Sequence, residues 1–229
     1  PLFGVDHTSR PRYGSLPNQP GHSGGLGFPI RKQNFMNGYS RFISKRVLDV
    51  LLATCGLLVI CIPMLVICVI ILSTSQGPVL FWSKRVGKNN VIFNMPKFRS
   101  MHIETPILPT HLLSDPNAYL TSFGRFLRKT SLDELPQLWC ILKGEMSVVG
   151  PRPALPAQID LIKMRTENGV SRLSPGLTGW AQVNGRDNIT DQTKATYDYE
   201  YLRRSTFLFD MRIIWLTLCQ ALSRVNVSH

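Results

Sequence analysis

The chain has 229 residues, long enough to bury one core but short for two full domains. Its 26 Lys and Arg against 14 Asp and Glu give a formal charge of +12, which calls for anionic partners: nucleic acid, an acidic membrane face or phosphorylated substrates. The five cysteines (Cys55, Cys61, Cys68, Cys140, Cys219) include no CxxC pair and three fall in one apolar run, which speaks against a zinc site or disulfide framework and for a reducing compartment.

Residues 1–40 are rich in Pro, Gly, Ser and Asn and read as a flexible leader, since such a stretch buries too little surface to offset its ordering entropy. The chain begins with Pro1 rather than Met, which fits a trimmed chain or one that carries added residues. The GGLG run in this stretch is a poor nucleotide loop, because no strand precedes it and no helix follows.

Residues 41–76 read as a membrane-inserted helical segment. Its centre, Val50 to Leu72, carries no charge, and a straight helix of that length reaches roughly 34 Å, enough to cross a bilayer. Two features argue against a simple span. Pro63 sits mid-run, where it breaks or kinks a helix. Basic residues stand at both ends: Arg41, Lys45 and Arg46 before, Lys84, Arg85 and Lys88 after. Positive charge marks the cytoplasmic end of a membrane segment, so two basic ends are best satisfied by dipping in and returning. The expectation is a re-entrant helix bent at Pro63, with Ser73 to Gly77 back at the interface; a kinked full crossing is the alternative.

From residue 77 the chain reads as a soluble α+β unit, mainly helical, reaching residue 224 before a short tail at 225–229. VLFWSKRVG and VIFNMPKFRSM give two strands joined by a turn at Gly87 to Asn90. A polar loop with His102, Glu104, Pro106, Pro109 and Pro116 follows, and helical pattern returns in TSFGRFLRK and ELPQLWCILKG. SPGLTGWAQVNGRDN reads as loop and tight turn, with Asn184-Gly185 as its strongest turn signal. A last helix from about Thr206 to Leu222 places Phe207, Leu208, Met211, Ile214, Trp215, Leu218 and Leu222 on one face, for the core or for a membrane interface.

A Walker A loop, an HExxH, a metal-type Cys/His cluster and a DxD pair are all absent from the sequence. Asp133 and Glu134 form the acidic pair of interest, in RKTSLDELPQL. Ser131 and Glu134 fit a capping box at a helix start, and Pro136 is tolerated in that first turn. A cap does not exclude a site. The positive end of a helix holds a carboxylate ionised and attracts phosphate, an ionised Asp can attack phosphorus, and a neighbouring carboxylate can bind Mg²⁺ or take a proton. Arg125, Arg128 and Lys129 lie just upstream. Arg152 stands between Pro151 and Pro153, so a stiff backbone presents a guanidinium suited to phosphate. Lys97 and Arg99 alternate on one strand face, and Arg186 follows the Asn184-Gly185 turn.

The ordered series KRVLDV, apolar run with central Pro, GPVLFWSKRVG, KFRSM, SLDELPQL, LKGEMSVVGPRP and PGLTGWAQVNGR resembles the bacterial sugar transferases, the monotopic phosphoglycosyl transferases that begin O-antigen, capsule, exopolysaccharide and protein-glycan assembly. The likeness runs from about Lys45 to Leu222. It implies a re-entrant membrane helix with interfacial amphipathic helices, and a cytoplasmic catalytic domain at the bacterial inner membrane. It also implies a catalytic dyad at Asp133 and Glu134, which would also hold the metal, and Mg²⁺ dependence with Mn²⁺ as the substitute. Lys97, Arg99, Arg128, Arg152 and Arg186 are then the expected substrate-binding residues. The partners it implies are a UDP-sugar, polyprenyl (undecaprenyl) phosphate and an anionic phospholipid bilayer, with no nucleic acid and with a homodimer left open. Asp attack on the β-phosphate would release UMP and leave a phosphosugar on the enzyme for the lipid to take. Ile62 precedes Pro63 where family members often carry Ser, and the multi-helix N-terminal half of larger relatives is not in this chain, as in a minimal or a cut member. A conventional glycosyltransferase releasing UDP and a membrane-tethered nucleic-acid-binding module are the competing readings.

Overall fold

The computed structural model describes residues 35–106, 115, 118–185 and 189–226. The GGLG run, Pro109 and Pro116 lie outside them. Helix α1 (Phe35–Thr74) is helical throughout its 40 residues, Pro63 included, and takes in residues 35–40 at the end of the stretch read as leader. Within it Lys45–Thr74 is, among the described residues, the one helix long and apolar enough to cross a membrane. Its apolarity runs all the way round. Leu58, Val59, Ile62 and Leu65 keep 66–77% of their surface exposed, while Asp49, Ala53, Ile67 and Ile71 are buried.

Both ends of the Lys45–Thr74 stretch pack on the chain that follows it. At the near end Lys45 pairs with Asp210 at 2.8 Å, and Arg46 donates to the carbonyls of Ile141 and Leu142. Asp49 accepts from the Ser147 hydroxyl and the Val148 N–H, at 3.0 and 2.9 Å. Ala53 then packs into a core with Phe93, Met95, Cys140, Ile141 and Met146. At the far end Ile67 and Ile71 pack with Phe98 and Leu127.

Strands β1 (Leu80–Val86) and β2 (Ile92–Phe98) form the expected hairpin, with Lys97 opposite Phe81 and a 3-10 turn at Lys88–Asn90. The strand period of two puts Phe93 and Met95 inside, and Lys97 follows them onto that inner face. Helix α2 (Ser122–Thr130) is capped by Thr121, whose hydroxyl accepts from the Gly124 N–H at 2.9 Å. Gly124 has to be Gly, because a Cβ there would sit 1.9 Å from the Ser100 carbonyl oxygen.

Beyond α2 the structure departs from the expected regular helix. Leu132–Gln137 is a 3-10 turn, and only Leu138–Lys143 (α3) is α-helical. The Ser131–Glu134 capping box does not form. Ser131 ends α2 in the left-handed region, at φ 60°, and its side chain caps nothing. An N-cap needs an extended backbone, which a residue shared between two abutting helical turns cannot supply.

Strand β3 (Ser147–Val149) runs parallel to β4 (Gly176–Thr178), with α4 (Ile159–Glu167) between them in sequence. The stretch read as loop and tight turn therefore holds a strand and a short helix, α5 (Trp180–Gly185). Asn184-Gly185 closes that helix rather than a hairpin, and the Asn184 amide donates back to the Trp180 carbonyl at 2.7 Å. Three-residue strands carry too little alternation to be seen in sequence, and glycine contacts hold this pair: a Cβ on Gly179 would meet the Gly150 carbonyl oxygen at 2.0 Å.

Helices α6 (Asp191–Arg204) and α7 (Phe207–Asn226) complete the described chain. Helix α7 turns Phe209, Asp210 and Ile213 inward, and the anticipated apolar face looks outward: Phe207, Leu208, Trp215 and Leu218 are 53–78% exposed. Core packing is thus done by the neighbouring face of α7.

Candidate active site

Three elements converge on the acidic pair. The 3-10 turn carries Asp133 and Glu134, β2 brings Lys97, and the segment after β3 brings Arg152. One oxygen of Glu134, Oε1, accepts from Lys97 Nζ at 2.7 Å and from Arg152 Nη2 at 3.0 Å. Burial alone would push the Glu134 carboxyl up; Arg152 and Lys97 together outweigh it and hold the group down at about 2. Glu134 is therefore a permanent anion that orders two cations.

Asp133 is its neighbour and its opposite. It is 7% exposed, and among the described residues no other side chain hydrogen-bonds or ion-pairs with its carboxylate. Burial pushes it above the usual carboxylate range. Lys97 opposes that shift, Glu134 adds to it, and Arg128 and the residue's own backbone N–H oppose it again. The expected stabilisation of the anion by a helix start is outweighed by loss of water. Successive side chains in a 3-10 turn, with 3.0 residues per turn, point about 120° apart, so the two carboxylates face different surroundings.

Arg128, on the last turn of α2, donates from Nε to the Ser100 hydroxyl at 2.9 Å and from Nη2 to Met101 Sδ at 3.3 Å. Burial lowers its pKa, and the field of Asp133 acts against that. Arg125 and Lys129, on the same helix, are exposed. Arg99 is placed elsewhere. Its guanidinium reaches the Ser75 and Gln76 carbonyls and the Ser75 hydroxyl, so it holds the chain just past the end of α1. β2 ends at Phe98, and the alternation that aims Lys97 inward does not carry on to Arg99. Arg186 lies outside the described residues.

The supporting residues were harder to read in the sequence. Ser100 holds Arg128, Asp49 holds β3, and a buried Arg165–Asp198 pair stands behind Arg152. Asp49 and Ser100 sit inside the KRVLDV and KFRSM motifs, and a lone acid next to an apolar run was the available signal for Asp49.

The donor set can be tested against a divalent cation. Among the described residues no group of three metal-ligating side chains occurs, and Lys97 and Arg152 already occupy Oε1 of Glu134. Mg²⁺ commonly takes one or two carboxylates, several waters and the phosphates of a substrate. Asp133, with Glu134 beside it, fits a cation of that kind arriving with an anionic substrate.

Residues 39–224 match the family described as bacterial sugar transferase. This chain belongs to that family. It is 39% identical over 196 residues to a galactosyl transferase, CpsE, of Streptococcus agalactiae, covering 79% of this chain and 42% of the relative. It is 37% identical over 192 residues to a UDP-glucose:undecaprenyl-phosphate glucose-1-phosphate transferase of Escherichia coli, covering 80% and 41%. With the exopolysaccharide production protein ExoY of Sinorhizobium fredii it shares 34% over 191 residues, covering 77% of this chain and 84% of that one. The chain thus spans less than half the length of the first two relatives and most of the third.

Proposed function

We propose that this chain moves a sugar-1-phosphate from a UDP-sugar to a polyprenyl phosphate, releasing UMP, through a covalent phosphosugar on Asp133. The observation that carries the reading is the division of labour in the acidic pair: Glu134 is committed to two cations while Asp133, buried beside it, has no side-chain partner among the described residues. The name of the Escherichia coli relative supplies the donor and the acceptor.

In the first half-reaction an Asp133 oxygen attacks the β-phosphorus. The bond from that phosphorus to the oxygen bridging to the α-phosphorus breaks, and UMP leaves with the electron pair. In the second half a phosphate oxygen of the lipid attacks the same phosphorus, the Asp133–phosphorus bond breaks and the carboxylate returns. Lys97, Arg128 and Arg152 offset the charge of the pyrophosphate, which would otherwise repel an anionic nucleophile. Asp133 and Glu134 would hold Mg²⁺ or Mn²⁺ together with substrate phosphates, and that ion supplies further neutralisation of the pyrophosphate when bound. A deeply buried Asp133 is shielded from water, which also protects an acyl phosphate from hydrolysis.

The same reading places the domain on the cytoplasmic face, with α1 dipping into the membrane and returning. Support comes from the two ends of the Lys45–Thr74 stretch. Lys45 and Asp49 are held by one domain, and Ser75 and Gln76 are held by that same domain through Arg99. A full crossing would carry one of these ends to the far side of the bilayer. Single cysteines at positions 41 and 88, in a background without native cysteines, should label from one side only; labelling from opposite sides would establish a crossing.

The test of function is incubation of the membrane-reconstituted protein with Mg²⁺, undecaprenyl phosphate and a panel of UDP-sugars. UMP and a polyprenyl-diphosphate sugar are the expected products. Release of UDP would instead mark a conventional glycosyltransferase.

A further inference from the structure

Behind Arg152 lies an ion pair that the proposed chemistry does not use. Asp198, on α6, is 1% exposed, and Arg165, on α4, is 9% exposed. Arg165 donates from Nε and Nη2 to one oxygen of Asp198, at 2.9 and 2.6 Å. Its remaining nitrogen, Nη1, donates to the backbone carbonyl of Arg152 at 2.9 Å. We propose that Arg165 and Asp198 are a positioning pair for Arg152, fixing the backbone from which its guanidinium reaches Glu134 and the substrate phosphates. The proposal rests on the reading of Arg152 given above.

The local backbone explains why such a pair is needed. Pro151 and Pro153 have no N–H, so this segment is held largely through its acceptors. Three successive carbonyls are each taken by a donor: Pro151 by the Gly176 N–H at 2.8 Å, Arg152 by Arg165, and Pro153 by Arg85 Nη1 at 3.2 Å. The middle donor is itself fixed by a buried acid, Asp198. A cavity of about 30 Å³ lined by Pro151, Arg152, Ala154 and Arg165 adjoins the segment, so the backbone has room to shift once the clamp is lost. Buried ion pairs are seldom net stabilising against apolar replacements, so stability alone is a weak reason for this one. Aim is a stronger one, because a misplacement of about 1 Å in a positioning group can cost about a hundredfold in rate.

Lys at position 165 keeps the charge but cannot reach Asp198 and the Arg152 carbonyl with a fork. The experiment compares wild type, R165K, R152A and R152A/R165K in nanodiscs by two readouts. These are UMP release from a UDP-sugar and the guanidinium ¹⁵N NMR signal of Arg152, assigned by its absence from R152A. The expected result is a roughly tenfold loss in UMP release for R165K, and less than a twofold further loss when it is added to R152A. The Arg152 signal should move towards that of a solvated arginine in R165K, because the backbone that aims it is no longer held. Equal fold losses in both backgrounds, or wild-type rate and Arg152 signal in R165K, would overturn the proposal. Should R165K fail to fold, D198N carries the same comparisons. If neither folds, the pair serves folding and the positioning role is withdrawn. If wild type releases no UMP from any UDP-sugar, the proposed function falls, and the Arg152 signal still decides the positioning.

Discussion

Two charged clusters flank the Pro-Arg-Pro segment, and they are built in opposite ways. Arg165 and Asp198 are matched one to one, nearly without solvent, with every contact closed inside the protein. At the other cluster Lys97 and Arg152 share one oxygen of Glu134, and the Arg152 side chain is 40% exposed. Counting Arg128 and Asp133, three cations face two carboxylates there. A closed neutral pair is a fixture, whereas a surplus of positive charge with an open side is capacity for an anion. A pyrophosphate is the anion that the proposed function supplies.

The difference is broken most sharply at Asp133. Asp133→Asn keeps the shape but removes the nucleophile, so the covalent phosphosugar should vanish and turnover should fall by about a thousandfold or more. Intact-protein mass spectrometry after incubation with the UDP-sugar checks this. A D133N protein that folds and releases UMP at near wild-type rate would end the proposed mechanism. Glu134→Gln should cost about a hundredfold, since it frees two cations rather than removing the reacting atom, and a trace of adduct should survive.

Next come the cations themselves. Charge-assisted hydrogen bonds contribute about 1.5–3 kcal/mol, so Ala at Arg128 or Arg152 should lower turnover by roughly one to two orders of magnitude. Lys should rescue neither fully, because it lacks the planar fork. Ala at Arg125, which is exposed on the same helix as Arg128, should leave turnover within about twofold. Steady-state rates of the three Ala variants separate the groups.

The pH profile sharpens the contrast between the two carboxylates. Glu134 stays ionised down to about 2, so under the proposed mechanism the acid limb of activity falls to Asp133, whose pKa burial raises. Activity should fall as pH falls through that raised value. Removing the Glu134 charge should move the limb to lower pH, because that charge raises Asp133; removing Arg128 should move it to higher pH, because that charge lowers Asp133. Shifts in the same direction would contradict the assignment.

Some of this was legible in the sequence, and the boundary has a physical cause. The hairpin was readable because seven-residue strands show alternation and Gly87 to Asn90 is strong turn chemistry. The apolar helix was readable from composition. Strand β4 and helix α5 were not, since three and six residues held by glycine contacts leave no period. Lys97 and Arg152 came out of motif reading, yet the meeting of both on one oxygen of Glu134 is a tertiary fact. Arg99 shows the reverse: identical in kind to a site cation, it serves the end of α1 because the strand stops one residue earlier.

The smallest expected effect is on stability, and its sign differs between the two neighbours. A folded-state pKa above the unfolded value means the fold prefers the protonated Asp133. That contribution is present at low pH and is lost as pH rises through the folded value, so at neutral pH the buried anion is a cost. The amide of D133N resembles the neutral form, and this variant should raise Tm by a few degrees at pH 7. Glu134 lies the other way, at about 2 against 4.5. Its contribution, on the order of 3 kcal/mol, is fully present above pH 4.5 and is lost as pH falls towards 2. E134Q should therefore lower Tm at pH 7, with a deficit that shrinks as the pH is taken below 4.5. Thermal unfolding of both variants at pH 7 and pH 4 reads the two signs directly. A drop in Tm for both at pH 7 would mean that Asp133 is a structural anion, held by its neighbours as firmly as Glu134, and not a carboxylate kept uncommitted for chemistry.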